Sequence, residues 1–204
     1  ESSKHPCPDE SVYIKEIGKN ICPNNPVDEI NWGSAIRFID QLNKIEGLDC
    51  SVNDNPYIIE SFEKARNTPG CYRLPTSAEW EYSTRAGSTE DFSFGNDFNQ
   101  LPDFAWLAPN SEDTSHPTGT KKPNTFGLYD VHGNIRQIVA DTDYPLYGSK
   151  LEDPVAWTNW TQNIVRGASY ADGACSATSY MKSVDYKNGK PSSLSGFRIV
   201  RSTR

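Results

Sequence analysis

Tyr72-Arg73-Leu74-Pro75-Thr76-Ser77-Ala78-Glu79-Trp80-Glu81-Tyr82 contains the clearest helix start in the sequence. Thr76 and Glu79 stand three residues apart, the spacing of a capping box, in which the hydroxyl and the carboxylate satisfy each other's orphan backbone N–H groups. A helix is expected to open at Thr76, run through Trp80 and Tyr82, and stop at Gly87. Upstream, Trp32, Ala35, Ile36, Ile39 and Leu42 recur at helical spacing and predict an amphipathic helix over 32–45, with Asn31 as N-cap and Gly47 as stop. Residues 48–70, between the two, read as a long polar connection. Residues 1–30 read as irregular, broken by Pro6, Pro8, Pro23 and Pro26. After Gly87 the helical period is lost. Short apolar stretches follow, Phe92–Phe94, Phe104–Leu107, Phe126–Val131, Ile135–Val139, Ile164–Ser169 and Phe197–Val200, separated by long loops. The pattern predicts a single α+β domain with two helices, short strands and much ordered loop.

Composition bounds what such a domain can do. A chain of 204 residues can remove roughly 70% of its extended surface from water, so it needs no metal to hold a core. Its apolar share of 35% is low, and 5 Trp, 10 Tyr and 8 Phe carry the burial that Leu and Val usually supply. Lys+Arg 20 against Asp+Glu 27 gives a net charge of −7, which argues against nucleic acid, since phosphate binding needs a basic face. The apolar runs are too short for a membrane span.

Cys7, Cys22, Cys50, Cys71 and Cys175 form no CxxC or Cys/His cluster, so a structural zinc is not expected. Four of them lie in loops of the first 71 residues. Two disulfides, Cys7–Cys22 and Cys50–Cys71, are predicted there in preference to free buried thiols, with an extracytoplasmic location: periplasmic, cell-surface or secreted. The abrupt start at Glu1-Ser2-Ser3 reads as that of a mature or trimmed product. Asn159-Trp160-Thr161 is a glycosylation sequon, relevant only in a eukaryotic secretory setting.

Four segments, in order, resemble the formylglycine-generating enzyme (sulfatase-modifying factor) family. They are Asn25-Pro26-Val27-Asp28-Glu29-Ile30-Asn31-Trp32, the Tyr72 to Tyr82 stretch, Lys122-Pro123-Asn124-Thr125-Phe126-Gly127-Leu128-Tyr129-Asp130-Val131-His132-Gly133-Asn134, and Val165-Arg166-Gly167-Ala168-Ser169-Tyr170 with Gly196-Phe197-Arg198. The resemblance implies a C-type-lectin-like fold over residues 25–204, with residues 1–24 an irregular N-terminal arm of the same domain.

Catalytic members of that family oxidise a substrate cysteine with two cysteines and copper. Counted from Tyr170, the first cysteine's position falls on Asp172 and the second's on Ala177, with Cys175 alone between them. One thiolate supplies neither a paired soft site for Cu(I) nor an internal disulfide cycle. The family usually continues Gly-Asn with a Trp-Glu pair whose carboxylate helps hold calcium. Here Arg136 and Gln137 stand after Gly133-Asn134-Ile135, leaving Asn134 as a possible ligand of a weakened calcium site. Family members also carry a longer segment before the Asn-Pro-Val element. Its shortness here implies a fragment, a strand supplied by a partner chain, or a reduced role for Tyr13–Ile17.

Among single residues the structural reading prevails. His5, His116 and His132 are scattered and read as hydrogen-bonding residues, Glu79 as half of the capping box, Glu81 as lying on another helix face, and Lys121-Lys122 as a solvated turn. Cys175 has no adjacent base to activate it and reads as buried and inert, or as a handle for intermolecular pairing. The segment 170–195 differs, being rich in Tyr, Ser, Gly and Asn, the residues of adaptable binding surfaces. In C-type-lectin-like proteins this region forms the ligand face, and the variable proteins of diversity-generating retroelements diversify it. The expected face is Tyr170, Asp172, Ser176, Tyr180, Lys182, Tyr186 and Asn188. The sequence is thus read as a non-catalytic module that binds a protein or surface ligand. Its rivals are an oxidase with altered chemistry at Cys175 and a structural subunit of a larger complex.

Overall fold

The computed structural model describes residues 12–14, 19–21, 24–142, 162–186 and 193–203. The first predicted helix is α1, Trp32–Ile45, and Asn31 caps it by accepting the Ser34 N–H. Glu46 closes it and Gly47 follows in the left-handed region, one residue beyond the helix end. The capping box of α3, Ser77–Arg85, has both reciprocal bonds, Thr76 Oγ1 to the Glu79 N–H and the Glu79 carboxylate to the Thr76 N–H. Glu79 also takes a two-pronged bond from Arg73 at 2.6 Å on each arm, and that contact with the Thr76 N–H holds its carboxyl below the usual range against its burial.

Two further helices depart from the expectation of two. α2, Ile59–Asn67, lies inside the stretch read as connection, and α4, Leu101–Phe104, is a single turn. α2 buries only Ser61, Phe62 and Ala65, too narrow an apolar stripe to announce a helix. Its stability comes from outside its own pattern. The Cys50–Cys71 disulfide closes the loop that contains it, and a closure over 21 residues restrains the unfolded chain by about 3 kcal/mol. Cys7 and Cys22 lie outside the described residues. The N-terminal arm, expected to be irregular, pairs β1 (Val12–Ile14) antiparallel with β2 (Lys19–Ile21).

The main sheet has the order β6-β5-β4-β7: Lys182–Tyr186, Gln162–Arg166, Arg136–Ile138 and Ser195–Phe197. Only the β4–β7 pair is parallel. Phe92–Phe94, Phe104–Leu107 and Phe126–Val131 form no strand; the first makes only an isolated bridge between Phe92 and Gly95.

Strand alternation sorts the core into layers. Ile138 and the residue opposite it, Val165, join Trp32, Ala35, Ile36 and Ile39 of α1. Val139 and Ile164 point the other way, onto Trp80 of α3. The sheet is thus held between α1 and α3, and Asp141, fully buried, fastens α3 by accepting the Ser77 N–H at 2.6 Å. A small second sheet pairs β3 (Tyr72–Arg73) with β8 (Val200–Arg201). On the other side of β3, the buried Asn43 of α1 bonds both the N–H and the carbonyl of Tyr72.

Candidate functional site

The segment from β5 to β6 is built around two arginines. Arg166, at the end of β5, is 0% exposed. Its Nη1 donates to the carbonyls of Tyr180 and Met181, its Nη2 to the Ser179 carbonyl and to Glu81 of α3 at 2.6 Å, and its guanidinium lies 4.9 Å from the Trp80 ring centroid. One side chain thereby ties the backbone at 179–181 to β5 and α3. Glu81 divides its carboxylate between Arg166 and Arg85, so this is a partly buried charge network rather than an acid–base pair.

The second arginine organises the loop after β5. Arg136, the first residue of β4, gives Nε and Nη2 to the two carboxylate oxygens of Asp172 at 2.9 and 2.5 Å. Asp172 also accepts the Ser169 N–H and hydroxyl at 2.8 and 2.6 Å, and these donors hold its carboxyl below the usual range despite its partial burial. The loop then enters a 3-10 turn, Ala174–Ala177, whose buried residue is Ala177; Cys175, expected to be buried, is instead exposed because the turn directs Ala177 to the core, and it is not disulfide-bonded.

His132 anchors that turn from below. Its Nε2 faces the Ser93 N–H at 3.2 Å, a group that can only donate, so Nε2 is the acceptor and Nδ1 carries the proton to the Ala177 carbonyl at 2.8 Å. The rings of Phe92 and Phe94 meet it edge to face, and burial pushes its pKa down to about 4. Beside it, Gly133 allows a close approach that no other residue could make: a Cβ there would collide with the Trp106 carbonyl, which accepts the Asn134 N–H. Trp106 is stacked on His116 with centroids 3.7 Å apart, and Lys121 Nζ lies 3.6 Å from its ring centroid. Lys121, read from sequence as part of a solvated turn, is thus a cation–π partner.

Of the residues expected on a ligand face, Tyr170, Asp172 and Ser176 lie on the loop and turn, and Tyr180 is 46% exposed just before β6. Lys182 opens β6, is half-buried, and has its pKa lowered by burial and by the charge of Arg166. Tyr186 ends β6, and Asn188 lies outside the described residues. The carboxylate of Asp172 is turned to Arg136 and Ser169, so this residue shapes the loop.

The sequence profile of the sulfatase-modifying factor enzyme 1-like domain matches residues 7–203. The chain belongs to that family. It is 30% identical over 144 residues to the mouse (Mus musculus) protein "Inactive C-alpha-formylglycine-generating enzyme 2", an alignment covering 64% of this chain and 43% of the relative. It is 27% identical over 143 residues to "Chaperone protein LppX" of Paenibacillus barcinonensis, covering 55% and 50%. Among solved structures, "Treponema denticola variable protein 1" superposes with a TM-score of 0.75 at 27% identity, covering 88% of this chain and 72% of that one. The chain spans about half the length of the curated relatives it matches.

Within the sulfatase-modifying factor family, two departures noted separately in the sequence are in contact here. Asp172 is the partner of Arg136, with Oδ1 and Nη2 2.5 Å apart. Neither Asn134 nor Gln137 offers calcium a free donor oxygen. Asn134 is buried, with its Oδ1 accepting the His116 N–H and its Nδ2 donating to the His116 carbonyl. Gln137 Oε1 accepts from Trp80 Nε1 at 2.8 Å and from Arg198 Nε at 3.0 Å, and Arg198 Nη2 bonds the Tyr129 carbonyl. A guanidinium therefore already occupies the surroundings of Gln137, and its charge opposes a metal cation. Thermal denaturation should give the same midpoint in millimolar calcium and in EDTA, within about 1 °C; a rise of several degrees with calcium would refute this reading.

The Cys50–Cys71 disulfide and the family both fit an extracytoplasmic location. Among the described residues no helix is long and apolar enough to cross a membrane.

Proposed function

We propose that this chain is a non-catalytic member of the sulfatase-modifying factor family that works outside the cytoplasm as a binding module. Its ligand, a protein or a surface-borne group, meets the segment 170–195. The observation that carries this reading is the Arg136–Asp172 pair. Where a catalytic relative presents a thiolate to copper and substrate, this chain presents a carboxylate already neutralised by a guanidinium. Ala177, at the second thiol's position, is packed against Phe92, Leu101 and Leu107, and a buried methyl does no redox chemistry. With the loop fixed from beneath, Tyr170 and Tyr180 can offer contact area at low entropic cost, with Ser176 and Lys182 as polar neighbours.

Two measurements test this. Purified protein supplied with copper and a cysteine-containing peptide should form no aldehyde. Turnover that disappears in Cys175→Ser would instead make the chain an oxidase. A random peptide library displayed on phage, selected against the folded protein, should yield binders that lose at least tenfold in affinity with Tyr170→Ala or Tyr180→Ala. Binders indifferent to both substitutions would place recognition elsewhere and overturn the assigned face.

A further inference from the structure

Apart from that segment, a cavity of about 450 Å³ opens between Pro26, Val27, Thr118, Gly119, the turn at 127–130 and the end of β7. Val27, Leu128, Ile135 and Phe197 give it apolar walls, and the ring of Tyr129 stands exposed beside it. Two residues of opposite charge, Asp130 and Arg198, share this lining.

Each of the two is only partly satisfied. Asp130 Oδ2 accepts the Gly119 N–H at 2.8 Å, with the Asn134 amide alongside. Arg198 uses Nε on Gln137 and Nη2 on the Tyr129 carbonyl, which leaves Nη1. The two charges influence each other, and among the described residues neither closes an ion pair. Both residues line the cavity, and none of their side-chain atoms is buried without a hydrogen-bond partner.

This arrangement constrains what can enter. An anion alone would be drawn to Arg198 and repelled by Asp130, and a cation alone would meet the reverse. A ligand carrying both charges satisfies both groups, and an apolar body on it removes the cavity walls from water. We propose that the cavity binds a small zwitterion with an apolar side chain, a free α-amino acid or a dipeptide, its ammonium on Asp130, its carboxylate on Arg198 and its side chain against Val27, Leu128 and Phe197.

The test is an NMR titration of the whole chain with L-leucine and with leucyl-leucine, against N-acetyl-L-leucine and L-leucinamide, each of which lacks one charge. One zwitterion should bind in the millimolar range or tighter and shift the resonances of Tyr129 and Phe197, and the tighter of the two names the source. Each blocked derivative should bind at least tenfold more weakly. Asp130→Asn should show the same loss with little change in melting temperature, because asparagine can still accept from Gly119 and tolerates the backbone φ of 56°. The proposal fails if neither zwitterion shifts these resonances, if the blocked derivatives bind as well as the parent, or if folded Asp130→Asn keeps full affinity. Should Asp130→Asn not fold, the comparison of derivatives on the unaltered protein decides alone.

Discussion

Replacing Arg166 by methionine is expected to lower the free energy of unfolding by about 3–5 kcal/mol. Methionine fills part of the volume and removes the cost of burying a guanidinium, and such a swap can be neutral when a whole ion pair is replaced. Here the partners stay behind. The carbonyls of Ser179, Tyr180 and Met181 lose their donor; the Ser179 carbonyl is left buried, at about 1–3 kcal/mol, and the other two, in partly buried bonds, cost less. Glu81 is the lesser loss, because it keeps Arg85 and is partly exposed. Urea denaturation measures the total, and hydrogen exchange at 179–182 locates it, since this backbone should open first. Unchanged stability, or a loss spread evenly over the sheet, would show that Arg166 does not hold the segment.

Acid should destabilise the protein through His132. The unfolded chain takes a proton on this imidazole near its ordinary value of 6.5, and the folded chain only at about 4. Between those values the unfolded state binds the extra proton, so stability falls as pH falls, by about 1.4 kcal/mol per unit. Above the window the contribution is fully present, and below it the slope disappears. From neutral pH to about pH 4.5 the loss comes to about 2.5 kcal/mol. Protonation also removes the acceptor of the Ser93 N–H, beneath the turn that carries Cys175. His132→Gln, which titrates nowhere in this range, should be less stable at neutral pH and should lack this part of the acid slope. Parallel curves for the two proteins would mean that the imidazole is not responsible.

The parts of the fold that were legible in the sequence are those specified by neighbours in the chain. Asn31, Thr76 and Glu79 act over three or four residues, and α1 and α3 begin where these residues put them. α2 was not legible because its support is a disulfide and a few buried side chains rather than a periodic stripe. Arg166 sat in view inside a quoted motif, but its partner Glu81 is 85 residues away, and no local pattern reports the burial of a charge. The Arg136–Asp172 pair was half-visible. Each residue stood out singly as a departure from the family pattern, and their opposite charges made a pairing physically possible without showing that the fold brings them together. Among the residues expected to form the face, the exposed Tyr180 is the kind that composition alone can suggest. The locked carboxylate of Asp172 depends on a strand 36 positions earlier in the chain, which composition cannot reveal.

Asn43 has a consequence for how this molecule meets others. By bonding both polar groups of Tyr72, a helix side chain takes the place of an absent neighbouring strand. The outer margin of β3 offers no ladder for a foreign chain to climb, since the groups that would recruit it are consumed in the protein's own folding. Self-association into extended sheet is closed off from that side by one amide, and a partner seeking backbone pairing must do so elsewhere on the molecule.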